Sequence, residues 1–540
     1  MKRILGLAAC TAMLLSLISC GGEKKSAVAV NEKGEILQLN TVNNPESGEY
    51  DPAGAAAFVY FSYQTYTLEG LVGYDENGAI VPAAAESWDI SADKCTYTFH
   101  IREDEKWSDG SDVTSYDFKN TMVRALNPDN GAWYVDFLFY IKNAKAIFDG
   151  KASMQKLGVA CLDDKTLEIT LESPCAFFLD LCKLPTYMPS NCKYAKDDDK
   201  LWDMDPAKNL GNGPWHMVER KPGEYVRYEK NQYYHDADSV NVLAIKERYM
   251  DDDQAKSSAY KTGELTMLSG APSSLAEAYE GKPDLLFVEV PQTNYIVFNH
   301  NIAPFDNPLV RKAFAMAVNR QDISTVVGKS CSPSKTLVGK FYKSKVNGTR
   351  WGDLQGDLLE EDLEKAKALL AEAGYPEGKG LPAITYTYPA MNYEGDVAQV
   401  LQQQWKLLGA DVTLEAMEYE VYVDERRNGK LQCARMQWYA DYNDPTSWIV
   451  MYQSQNALND NKWVNAEYDA LIAESDLELD AAKREELLRK AEKIIVSDET
   501  VICPLFTNNT TNLFRPGLTN YYYDVLSYPN YKGMKFVAQE

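Results

Sequence analysis

The chain has 540 residues, 45% of them hydrophobic and 25% charged, which excludes a small disulfide scaffold; 32 Gly and 23 Pro are too few for a low-complexity or collagen-like chain. Its length exceeds what one hydrophobic core usually supports, so more than one lobe is expected. A net charge of −24 repels a phosphate backbone and gains nothing from anionic lipid, so no nucleic-acid partner is expected.

Residues 1–19 read as a secretory signal. Lys2 and Arg3 are basic, and positions 4–18 form an apolar run too short to span a bilayer. Leu17-Ile18-Ser19-Cys20 closes the run in the pattern of a bacterial lipobox, in which Cys20 is diacylated and becomes the first mature residue. The alternative is an ordinary signal in which Cys20 is incidental. Residues 20–33 are small, polar and charged, as a flexible tether should be. No later segment is long and apolar enough to cross a membrane, so the remainder is expected to be extracytoplasmic and held at the membrane through Cys20.

In chain order, residues 74–81 predict a hairpin whose Asn77-Gly78 supplies both positive φ values of a type I′ turn. Residues 96–101 alternate as a strand with His100 on the face away from Tyr97, Phe99 and Ile101. Thr114 and Asp117 predict a capping box, and Phe118, Met122 and Ala125 continue on one helical face. Strands follow at 225–228 and 295–298, and helices at 310–327, 363–373, 397–408 and 480–496. Val412, Leu414 and Ala416 alternate directly after Gly409, so the second half reads as an α/β lobe, a sheet covered by helices.

Catalytic and metal motifs are missing from the sequence. There is no G-x-S-x-G, H-E-x-x-H, G-x-x-x-x-G-K-[ST] or G-x-G-x-x-G, and only His100, His216, His235 and His300 supply imidazole. Asp197 to Asp199 and Asp251 to Asp253 lack the alternating ligands of a calcium loop and read as solvated turns. Carboxylate pairs suited to glycoside hydrolysis stay open, because their separation is spatial. Beyond Cys10 and Cys20, eight Cys remain at 95, 161, 175, 182, 192, 331, 433 and 503, none in a C-x-x-C pair. Buried thiols and one or two disulfides are both open readings.

A series of blocks then gives the chain a likeness. Glu69-Gly70-Leu71, positions 78–88, Tyr97-Thr98-Phe99, Lys106-Trp107-Ser108-Asp109-Gly110, Gly211-Asn212-Gly213-Pro214-Trp215, positions 260–265, Pro304-Phe305-Asp306 and positions 440–447 occur in register. Together they resemble the oligopeptide-binding lipoproteins of ABC importers, in the peptide/nickel class of extracellular solute-binding proteins. The resemblance implies an α/β, two-lobe periplasmic-binding-protein-like fold of type II with an extra inserted domain, closing on ligand like a hinge. Residues 34–70, 202–290 and 505–540 would form a discontinuous domain I, residues 71–201 an inserted domain II in the same lobe, and residues 291–504 domain III, the second lobe.

The same resemblance implies a short extended peptide between the lobes, delivered to permease subunits in the membrane. Asp441 would meet the peptide ammonium, the alternative being a turn-capping Asp. Arg435 and Arg426 would meet peptide carboxylates, the alternative being surface pairs with Glu425 or Glu420. Tyr134, Tyr295, Trp438 and Tyr439 would line the cleft, with packing in the core as the alternative for the aromatic rings. Glu46, Ser47, Leu268, Ser269 and Gly270 would offer main-chain strips. One departure from the family stands out: its best-known members carry a disulfide between the positions of Gln292 and Tyr439, and neither is Cys here. No catalysis, cofactor or metal is expected, and the chain should act as a monomer. Two other readings stay open: the same scaffold binding a nickel complex, an oligosaccharide or a signalling peptide, and a secreted hydrolase.

Overall fold

The computed structural model describes residues 36–41, 50–54 and 65–536; the signal, the tether with Cys20, and Glu46 and Ser47 lie outside the described residues. β1 (Ile36–Thr41) turns Leu37 and Leu39 into the core. β2 (Val72–Tyr74) and β3 (Ile80–Pro82) make the expected hairpin, but not through a type I′ turn. Only Gly78 in the loop has positive φ, at +85°. The Asp75 carboxylate accepts from the N–H groups of Asn77 and Ala79 at 2.9 and 2.8 Å, so an Asx-type turn replaces the second left-handed residue. Gly78 is also sterically required, since a Cβ there would lie 2.4 Å from Val525 Cγ1.

β4 (Ala85–Ile90), β5 (Thr96–Ile101), β6 (Val159–Asp163) and β7 (Thr166–Thr170) form an antiparallel sheet in the order β4-β5-β7-β6. Tyr97, Phe99 and Ile101 point inward as their alternation requires, while the His100 imidazole pairs with Asp89 at 2.9 Å on the exposed side. The helix Ser115–Ala125 lays Phe118 and Met122 on this core. Its start is fixed by the Asp117 carboxylate, which accepts from the backbone N–H and hydroxyl of Thr114 at 2.9 and 3.0 Å.

β8 (Trp215–Lys221), β9 (Tyr225–Lys230) and β10 (Ala244–Tyr249) then return to β1 in the order β1-β10-β9-β8, with β1 parallel to β10. This sheet has a core of its own, in which Tyr66, Trp215 and Tyr228 meet edge to face.

The remaining strands are β11 (Met267–Leu268), β12 (Leu285–Phe298), β13 (Cys331–Pro333), β14 (Ile384–Pro389), β15 (Val412–Met417), β16 (Cys433–Tyr439) and β17 (Ile502–Phe514). They build a seven-stranded mixed sheet, β11-β17-β12-β16-β14-β15, with β13 also on β17. β12 and β17 are 14 and 13 residues long and stay antiparallel from Leu285 opposite Leu513 to Val297 opposite Ile502. Leu513 and Phe514 pack with the first lobe, Ile502 and Phe506 with the second, so this strand pair is the physical link between them. The pair is irregular between Glu289 and Thr293, where the register shifts.

Helices cover the second sheet as the sequence predicts, with one break. The expected helix over 310–327 is two, Pro308–Met316 and Arg320–Val327. Asn319 interrupts it because its side chain caps the second helix, accepting from Gln321 N–H at 2.9 Å. The buried Arg320 then donates to the carbonyls of Ser334 and Pro504.

The inserted segment begins with the first β-hairpin and has no sheet contact with β1, β8, β9 or β10. In the structure its core runs without a break into that of the second lobe. Phe177 stacks on Tyr442 with ring centroids 5.3 Å apart, Arg484 lies 5.2 Å over the Phe177 ring, and Lys345 pairs with the buried Asp180 at 2.7 Å. Along this stretch the inserted segment packs directly against residues 291–504. The eight Cys of the described residues are free thiols. Among the described residues no helix is long and apolar enough to cross a membrane.

Candidate functional site

β16 carries the candidate residues to the middle of the second sheet, paired antiparallel with β12 so that Arg435 faces Ile296, Trp438 faces Thr293 and Tyr439 faces Gln292. The chain leaves the strand at Ala440 and places Asp441 at the junction between the lobes. The Asp441 backbone N–H donates to Ser447 Oγ at 2.9 Å, and the Tyr134 hydroxyl of the inserted segment donates to Asp441 Oδ1 at 3.2 Å. Burial pushes the Asp441 carboxyl up to about 7, and the Tyr134 hydrogen bond is the only influence that lowers it. No cation among the described residues pairs with it. The turn-capping role belongs instead to Asp444, whose Oδ1 accepts from the Thr446 N–H at 3.1 Å.

Arg435 and Arg426 are both buried and both already engaged. Arg435 Nη2 donates to Glu394 at 2.6 Å, to Asn294 Oδ1 at 3.0 Å and to Gln437. Arg426 lies 3.3 Å from Asp460. Neither makes the expected alternative pair, and Glu425 holds Lys430 instead. The Glu394 carboxyl sits above its ordinary value because burial outweighs Arg435. Arg435 Nε and Trp438 Nε1 are buried donors with no protein acceptor among the described residues. Behind Arg435 a polar chain crosses the strands, from Asn294 to Asn508 at 2.7 Å and from Asn508 to Gln292 at 2.6 Å.

Other expected contacts are placed differently. Tyr295 is 0% exposed and packs in the core beside Tyr452, so it presents nothing to a ligand in this arrangement. Leu268 is buried in the β11–β17 ladder. The Ser269 N–H and carbonyl are both taken by the Asn40 side chain, at 2.8 and 3.0 Å, and the Gly270 N–H reaches Asn512 Oδ1 at 3.3 Å. The main-chain strip expected at 268–270 is therefore largely satisfied within the protein. Ser269, Gly270 and Tyr439 nonetheless line a cavity of about 390 Å³ with Tyr528 and Asn512. Tyr439 donates to the Leu526 carbonyl at 2.5 Å. Tyr528 lines the same cavity, and burial pushes its phenol well above the ordinary tyrosine range.

Sequence reading missed Glu394 and Tyr528. Glu394 is the first residue of the helix Glu394–Lys406, where an acidic side chain suits the helix dipole, so nothing in the sequence marks it as an arginine partner.

Residues 79–460 match the profile of the bacterial extracellular solute-binding proteins, family 5. The chain belongs to this family. As a family 5 protein it is 32% identical over 521 residues to the dipeptide-binding protein DppE of Bacillus subtilis, covering 95% of each chain. It is also 32% identical over 510 residues to the probable deoxycholate-binding periplasmic protein YgiS of Escherichia coli, covering 93% of this chain and 94% of the other. The crystal structure of a periplasmic oligopeptide-binding protein of an oligopeptide ABC transporter from Borrelia burgdorferi superimposes with a TM-score of 0.77 at 30% identity, over 93% of this chain and 100% of that one. The family 5 architecture is the two-lobe, mixed α/β fold described above.

Proposed function

We propose that this family 5 solute-binding protein captures short peptides in extended form between its lobes and hands them, chemically unchanged, to the permease of an ABC importer. The observation that carries the reading is Asp441, a half-buried carboxylate at the lobe junction with no cation partner among the described residues. A peptide ammonium supplies the missing charge, and its own desolvation requires such a partner. Arg435 Nε and Trp438 Nε1 add donors for a carboxylate or main-chain carbonyl. The paired strands β12 and β17, irregular between Glu289 and Thr293, serve as the hinge between domain I with domain II and domain III, at the boundaries given above. Cys20 carries the lipid that keeps a monomeric chain at the outer face of a bacterial membrane.

The steroid ligand named for the Escherichia coli relative has a carboxylate but no ammonium, and Asp441 speaks against it here. Calorimetric titration with free and N-acetylated peptides, with deoxycholate in parallel, tests the reading. Free peptides should bind at least a hundredfold more tightly than acetylated ones, and equal affinity would defeat the assignment of Asp441.

A further inference from the structure

Where the inserted segment joins the first sheet, three side chains from three separate stretches of chain converge. Glu69 precedes β2, Glu105 follows β5, and His235 follows β9; one ligand atom from each lies within 4.8 Å of the others. His235 Nε2 is 2.7 Å from Glu69 Oε1, and the Tyr234 hydroxyl donates to Glu69 Oε2. Glu105 is 0% exposed. Its Oε1 accepts from Asn212 Nδ2 at 2.9 Å, while its Oε2 is buried with no partner among the described residues. A fully buried carboxylate with an orphaned oxygen, beside a second carboxylate and an imidazole, is costly unless a cation joins them.

We propose that Glu69, Glu105 and His235 bind one divalent transition-metal ion, with Zn²⁺ the best fit to a donor set of one imidazole and two carboxylates. Such donors suit zinc at about 2.0–2.2 Å, and an ion there matches the two negative charges. The close His235–Glu69 contact opens by somewhat more than about half an ångström to admit a tetrahedral ion. The outer partners are already in place. Asn212 holds Glu105 through Oε1 and clamps the Glu69 backbone from both sides, accepting from its N–H at 3.0 Å and donating to its carbonyl at 2.9 Å. The nearby cations are committed elsewhere, Lys165 to the carbonyls of Val113 and Glu105 and Arg102 Nε to the carbonyl of Ala83. The metal staples the inserted segment to the first sheet, far in sequence from the residues that meet the peptide.

The purified full chain, stripped with chelator, is titrated with Zn²⁺ and separately with Mg²⁺. One Zn²⁺ per chain should bind at least a hundredfold more tightly than Mg²⁺. Glu105→Gln and His235→Gln should each weaken Zn²⁺ tenfold or more, whereas His100→Gln, at the exposed pair with Asp89, should leave it unchanged. X-ray absorption at the zinc edge of the native protein, which needs no variant, should show one imidazole and otherwise oxygen ligands. No stoichiometric binding, unchanged affinity in both cluster variants, or a shell that lacks imidazole or is dominated by sulfur overturns the proposal.

Discussion

Asp441 and Asp444 stand in the same turn with opposite electrostatic fates. Arg484 donates two bonds to Asp444, at 2.7 and 2.9 Å, and holds its carboxyl below the ordinary range in spite of burial; Asp441 receives one neutral hydroxyl and rises to about 7. One aspartate is paired by the protein and the other has no cation partner among the described residues.

Replacing Asp441 with Asn should therefore leave a peptide ammonium buried without a counter-charge. A loss of on the order of 3–5 kcal/mol in peptide affinity is expected, roughly two to three decades or more in Kd. Titration calorimetry at pH 8 measures it, and a loss below tenfold would contradict the role.

Acidity should act on the same group. The folded carboxyl titrates near 7 and the unfolded one near about 3.9, so the native state holds the proton more tightly and the ionised form subtracts stability as pH rises between those values. The Asp441→Asn variant should unfold in urea like the native protein below about pH 4 and be the more stable of the two, by a few kcal/mol, above pH 7. Peptide affinity should run the other way, weakening up to about tenfold per unit as pH falls below 7. Flat profiles for both quantities would remove the shift.

Arg484 is predicted to matter for stability rather than for ligand. Arg484→Met strands the buried Asp444 carboxylate and removes the cation over Phe177, for a cost of about 3–5 kcal/mol in urea unfolding. Adding Asp444→Asn should recover a large part of it, and a double variant no better than the single would show that the pair is not the cause.

If Cys20 carries the lipid as proposed, Cys20→Ala should move the protein from the membrane fraction to the soluble extracytoplasmic fraction, because two acyl chains at about 0.8 kcal/mol per buried CH₂ would supply the anchoring. Fractionation followed by immunoblotting decides, with full retention on membranes as the contrary result.

Local chemistry was legible where a residue's partner sits a few positions away. Thr114 with Asp117, the strand alternation around Phe99, and the helix starting after Asp480 could all be seen in the chain. Local competition defeated two expectations: Asp75 took over the turn assigned to Asn77-Gly78, and Asn319 capped a new helix where the apolar periodicity ran on. Asp441 is singled out as a candidate by its motif, but its lack of a cation among the described residues is a property of packing. Partners from remote elements were invisible, as with Glu394 on Arg435, Asn40 on Ser269, and the meeting of Glu69, Glu105 and His235. No spacing rule links such residues before the chain has folded.

Gln292 and Tyr439 face each other across β12 and β16, at the positions where the family resemblance implies a disulfide in other members, and here hydrogen bonds hold the place: Gln292 to Asn508, and Tyr439 to the Leu526 carbonyl. These bonds do not respond to thiol reagents. The proposed cleft should therefore keep its shape in a reducing medium, and ligand binding assayed in dithiothreitol should match that assayed without it.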